Sequence, residues 1–143
     1  LSYLPEVSFP KKKSVPSITP VATHSTSICV DMSPFVRIAG LSGALAVAFG
    51  AYGGHKVRDD PSIEIRRKNA MAAGSQYHLI HTLALLGAPR ARYPWVTTAV
   101  FLGGIVMFCG PCYHYSITGD DRTRKYAPIG GVLFILGWLT FIL

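Results

Sequence analysis

Beyond residue 33 the chain alternates between long apolar stretches and short polar ones, and it does so four times. The first apolar stretch runs from about Pro34 to Gly54. Ser33 is an N-cap residue and Pro34 a first helical residue, a position where a missing N–H costs nothing. Twenty-one residues at 1.5 Å each span about 31 Å, the thickness of a bilayer's hydrocarbon. A second helix is predicted to start at Asp60 and Pro61, outside the hydrocarbon, and to continue into a span that ends near Gly87, with Pro89 beyond it as a stop. The third runs from about Trp95 to Tyr115. Tyr93, Trp95, Tyr113 and Tyr115 form interfacial belts at its ends, and Pro111 should kink its last turns. The fourth covers about Tyr126 to Leu143, with Pro128 in its first turn. The short connector APRARYP makes helices two and three an antiparallel hairpin, and SITGDDRTRK turns around Gly119. The expected fold is all-α: a small polytopic membrane protein of about four transmembrane helices in an antiparallel bundle.

The second apolar stretch, AMAAGSQYHLIHTLALLGA, is the unusual one, because polar side chains interrupt it. On a 3.6-residue period Gly74, His78, His81 and Leu85 share one face, and Asn69, Ala73 and Gln76 another. Lipid offers polar groups no partner. This helix should therefore be flanked on both sides, by its own chain or by another. Candidate close-packing positions are Ser42, Ala46, Gly50 and Gly54, which recur every four residues, and Gly130, Gly131 and Gly137. Small residues let helix backbones approach closely in lipid.

Residues 1–33 carry no helical period. They hold Pro5, Pro10, Pro16 and Pro20, the run Lys11–Lys13, and only Glu6 and Asp31 as acids. A basic, serine-rich, acid-poor composition fits an organelle transit segment. The prolines and the use of lysine over arginine fit better an extended arm laid along other subunits. The expected division is an arm over 1–33 and a transmembrane helical domain over 34–143.

Composition agrees with a membrane protein: half the residues are hydrophobic and 15% are charged. The net charge of +7 is scattered over three loops and the arm, which points to lipid headgroups and acidic partner surfaces rather than nucleic acid. The first and third loops hold eight Lys and Arg residues, against Arg37, Arg90, Arg92 and the three arm lysines opposite. The positive-inside rule then puts those two loops on the cytoplasm-equivalent side.

Cys109-Gly110-Pro111-Cys112 has the form of a thioredoxin redox motif, whose chemistry needs an exposed helix N-terminus after a strand. Here it lies near the end of an apolar helix, so structural small residues beside a kink are the expected role. His78, His81 and His114 are the candidates for holding a cofactor or metal. The competing role is hydrogen bonding between helices. No nucleotide-binding, nucleophile-elbow or metalloprotease motif appears, and no acidic residue lies within a predicted span. The expectation is a protein that is not an enzyme and has no cofactor.

The blocks LSGALAVAFGAYGGHKV, QYHLIHTLALLGAP, FLGGIVMFCG and YAPIGGVLFILGWL, in this order over Phe35–Leu143, resemble the transmembrane protein 256 family, also labelled domain of unknown function 423. Its signature is matched by Gly53, Gly54, His55, Tyr77, His78, His81, Ala127, Pro128, Gly130, Gly131, Gly137 and Trp138. The cysteine pair is outside that signature, and the N-terminal extension departs from it. The resemblance implies a small integral membrane protein, associated in animals with mitochondria, and carries no reaction. Together these readings give the expected function. It is an accessory subunit or assembly factor of a mitochondrial inner-membrane complex of the respiratory chain, multi-pass and in contact with other subunits and lipid. The alternative is a small-ligand, lipid, haem or metal binder using the histidines within the spans.

Overall fold

The computed structural model describes residues 33–143, and all regular structure among them is helical. The predicted arm lies outside the described residues, apart from Ser33. Helix α1, Pro34–Tyr52, runs on into a π-helical turn, Gly53–Val57. Helix α2 is Ile65–Gly87. Helix α3, Pro94–Gly104, continues through a π-helical segment, Ile105–Cys109, into α4, Gly110–Thr118. Helix α5 is Ala127–Leu139.

Local chemistry sets these boundaries. Asp60 does not start a helix. Its Oδ1 accepts from the Ser62 N–H at 2.8 Å and the Ser62 hydroxyl at 2.6 Å. Those two bonds, the hydroxyl first, hold the exposed Asp60 carboxyl below the usual carboxylate range. The closed turn delays α2 to Ile65, where the Glu64 carbonyl accepts from Arg67 and Lys68. Pro111 has no N–H for the carbonyl one turn back, and the wider winding of Ile105–Cys109 comes directly before it. Gly119 closes α4 in the left-handed region, φ 78°, its N–H bonding the Tyr115 carbonyl at 2.9 Å. Helix α5 stops earlier than expected. Thr140 turns back on the helix, its hydroxyl donating to the Gly137 carbonyl at 2.6 Å and its N–H to Leu136 at 3.1 Å.

α2 is the central element. Against α1, Ser42 bonds His78 and Thr82, and Gly53 packs on Met71, so the pairing is antiparallel. Against α3–α4, Arg67 reaches the Ser116 and Ile117 carbonyls and His81 lies beside Phe101, again antiparallel. α5 crosses α3 closely. Gly130 meets the backbone at Met107 and Phe108, Gly137 the Phe101 ring, and Thr97 donates to Thr140 at 2.8 Å. The core gathers Leu85, Phe101, Ile105, Cys109, Tyr113 and Phe134.

The small-residue positions divide. A side chain at Gly50, Gly130 or Gly137 would strike a neighbouring helix, but at Gly54 and Gly131 it would meet nothing within 4 Å. Four-residue steps drift about 40° each around a 3.6-residue helix, so by the third step the stripe has left the interface. Gly53, eleven residues or about three turns from Ser42, takes the contact instead.

Polarity is inverted relative to a water-soluble bundle. Ser42, His78, His81, Thr82, Thr97, Thr98 and Ser116 are buried, while Leu41, Val47, Leu83, Val106 and Ile135 are each at least 60% exposed. Among the described residues two helical runs, Pro34–Val57 and Pro94–Thr118, are long and apolar enough to cross a membrane. α2 has the length, 23 residues, but carries Arg66, Arg67 and Lys68 and the polar residues of its middle. The 13 residues of α5 reach about 20 Å.

Candidate functional site in the helix core

The buried polar side chains of α2 serve two different interfaces. His78, 5% exposed, faces α1 and α4. Its Nε2 lies 3.2 Å from the Ser42 hydroxyl and its Nδ1 3.2 Å from the Tyr113 hydroxyl. Ser42 in turn shares a 2.7 Å hydrogen bond with Thr82. A neutral imidazole donates from one nitrogen and accepts at the other, and hydroxyls do either. The chain Thr82–Ser42–His78–Tyr113 can therefore orient its protons in either direction while tying three helices together. Phe49 stacks on Tyr113 with centroids 4.3 Å apart and closes the apolar side.

His81, 4% exposed, faces α5 and α3. Its Nδ1 lies 2.7 Å from the Tyr77 carbonyl, an acceptor only, so Nδ1–H donates and Nε2 keeps its lone pair. The ring lies flat on Phe134, centroids 3.5 Å apart and 10° from parallel. Phe101 and Trp138 stand at 5.8 and 6.2 Å. Among the described residues Nε2 takes no hydrogen bond, and the ring borders a groove of about 670 Å³ between α2 and α5. Gln76, Tyr77, Phe108 and Phe134 also line it.

His78 and His81 are thus both buried, yet they part toward different helices and do not form a pincer. His114 does not join them. It follows Tyr113, which points at His78, so it projects elsewhere; it is exposed, with Nδ1 3.2 Å from the Thr123 hydroxyl. Among the described residues no three His, Cys, Asp or Glu side chains gather as a metal set. Cys109 is buried in the core at 1% exposure and Cys112 is half-buried, both as free thiols. The second face of α2, expected to be flanked like the first, divides as well. Asn69 and Gln76 are exposed, and Ala73 is half-buried.

The sequence reading missed Tyr113, Ser42 and Thr82 as partners of His78. Ser42 is legible as a small residue four positions before Ala46, but its hydroxyl role appears only once α1 lies against α2.

The family model described as "Protein of unknown function (DUF423)" matches residues 49–131, more than half of the chain. The chain belongs to the DUF423 family. The UPF0382 membrane protein YwdK of Bacillus subtilis is similar to it, 32% identical over 78% of this chain and 94% of its own length. A UPF0382 membrane protein of Staphylococcus epidermidis is 30% identical over the same shares. One of Haemophilus influenzae is 26% identical over 74% of this chain and 88% of its own length. No solved structure matches. Relatives named as membrane proteins and an inverted surface agree: this DUF423 chain is a membrane protein. The matched region holds Gly53, Gly54, His55, Tyr77, His78, His81, Ala127, Pro128, Gly130 and Gly131; Gly137 and Trp138 follow it. His55 is exposed in the turn after α1.

Proposed function

We propose that this DUF423 protein is a multi-pass, non-catalytic accessory subunit or assembly factor of a larger membrane complex, working by lateral contact. Gln76 carries this reading. It stands eleven residues from each end of α2, it is exposed, and it has no side-chain hydrogen bond among the described residues. An amide at that depth in hydrocarbon needs a protein partner or a bound polar molecule. His78, by contrast, is already bonded on both ring nitrogens inside the bundle, so its polarity serves packing.

All four helical rods cross the membrane in this reading. α2 is shielded by its neighbours, and the short α5 is extended by the turns at its ends. The finer placement is the mitochondrial inner membrane and a respiratory-chain complex. It rests on the family resemblance and on the basic, acid-poor residues 1–33. The test is a native gel of membranes dissolved in mild detergent. Co-migration with a large complex, lost on Gln76→Leu while the variant stays folded, is the expected result. Recovery of the wild-type chain only as a free monomer contradicts the proposal.

A second reading has its own observation. The unbonded Nε2 of His81 beside the α2–α5 groove is an acceptor for the hydroxyl of a small amphiphile whose apolar body lies along Phe108 and Phe134. Lipid extraction of the purified wild type and of His81→Phe separates this reading from the first. An amphiphile present in the wild type and absent from His81→Phe supports it; identical extracts exclude it.

A further inference from the structure

The bundle end carrying the α1–α2 and α4–α5 loops holds eight cations, Lys56, Arg58, Arg66, Arg67, Lys68, Arg122, Arg124 and Lys125. Four of them are occupied. Arg58 pairs with Asp59 at 3.6 Å and Arg122 with Asp120 at 3.8 Å. Arg67 donates to the Ser116 and Ile117 carbonyls at 3.0 and 2.7 Å, and Lys68 donates to the Arg58 carbonyl at 2.8 Å. Among the described residues Arg66, Arg124 and Lys125 have neither an ion pair nor a hydrogen bond. These three line a single cleft of about 850 Å³ between the start of α2, the side of α4 that carries Pro111, Cys112 and Tyr115, and the turn into α5.

The cleft is two-faced. The guanidinium of Arg124 stands 4.7 Å from the centre of the buried Tyr115 ring, which holds the cation at the wall. Asn69 adds an amide, and Asp121 is the single carboxylate on the lining. The other wall is apolar, from Phe108, Pro111, Ala127 and Pro128. Gly131 lies on this wall with nothing within 4 Å of where its side chain would be, whereas its neighbour Gly130 is pressed against the Phe108 backbone. Packing between helices requires the glycine at 130. At 131 the absent side chain leaves the cleft open.

We propose that this cleft binds an anionic phospholipid, its phosphate among Arg66, Arg124 and Lys125 and an acyl chain along Phe108, Pro111 and Gly131. Three cations lining one cleft at a bundle end, beside an apolar wall, match a phosphate attached to a hydrocarbon chain. A free phosphate would use the cations alone.

The test is titration of the purified full chain, in neutral-lipid nanodiscs, with phosphatidylglycerol, phosphatidylcholine or inorganic phosphate, read by native mass spectrometry. The expected result is saturable retention of phosphatidylglycerol over phosphatidylcholine. The triple variant Arg66→Gln, Arg124→Gln, Lys125→Gln should weaken it on the order of a hundredfold, at about one kcal/mol for each cation. The triple variant Arg37→Gln, Arg90→Gln, Arg92→Gln removes the same charge elsewhere and should leave retention unchanged. Gly131→Leu fills open space, should fold normally and should lose the lipid. Equal retention of the two lipids overturns the proposal. So does equal loss in both triple variants, or a Gly131→Leu protein that keeps the lipid while inorganic phosphate displaces it.

Discussion

On α2, His78 has both ring nitrogens within reach of hydroxyls on neighbouring helices. One turn later His81 gives one nitrogen to its own helix and lays its face on Phe134. The two share a residue type, a helix and near-complete burial. What separates them is what the facing helix offers: hydroxyls from α1 and α4, aromatic rings from α5 and α3. A histidine in hydrocarbon is a cross-link where hydroxyls meet it, and a flat filler with a spare acceptor where rings do. The polar side of α2 therefore holds the bundle together, and the aromatic side leaves a groove.

The largest effect tests the aromatic side. Gly130→Ala pushes a methyl into the backbone at Met107 and Phe108, so α5 must move off α3. Overpacking of this kind costs about 1–3 kcal/mol. Unfolding in mixed micelles should show that loss, with Gly131→Ala unchanged as its control. Equal behaviour of the two would mean that Gly130 of α5 does not pack against Met107 and Phe108.

Next comes the contrast itself. His78→Phe removes two contacts between helices, strands the Tyr113 hydroxyl and leaves Ser42 only its bond to Thr82, for a loss of about 1–2 kcal/mol. His81→Phe keeps the ring stack and gives up only a bond within α2, so its loss should stay below about 0.5 kcal/mol. The reverse order in unfolding free energy would break the comparison. A double-mutant cycle of Ser42→Ala with Thr82→Val should find a coupling of about 0.6 kcal/mol, the usual size for such pairs in membranes.

How much of this was legible in the sequence follows from the same geometry. Apolar run lengths gave the helices, Pro89 a stop and Gly119 a turn, because these signals are local. The buried histidines were legible as a polar break in an apolar run, but three residues apart read as one face. A 300° rotation in fact sends the two rings to different neighbours, and no periodicity names those neighbours. The four-residue stripe reached Gly54 on paper, while helical drift hands the contact to Gly53. Asp60-Pro61 reads as a helix start, but Ser62 captures the carboxylate first. The cleft of Arg66, Arg124 and Lys125 joins residues almost sixty positions apart and was beyond any local pattern.

The smallest effect lies outside the bundle. The Asp60 carboxyl is depressed by Ser62, so the folded state gains from its ionised form. That stabilisation is present above the ordinary carboxylate range and is lost as pH falls through the depressed folded value. Ser62→Ala should lower stability slightly at neutral pH, and the difference from wild type should vanish in acid. A difference that grows toward acid would have the wrong sign.

Lateral contact through the outer face of α2 is tested most directly by photo-crosslinking in native membranes. A photoreactive residue is placed at position 76, and in a second protein at Val106, which is 69% exposed and borders a different groove, beside Leu41 and Leu102. The expected result is a discrete protein adduct from position 76 and mainly lipid adducts from position 106. Lipid adducts alone from both positions would contradict a partner at Gln76.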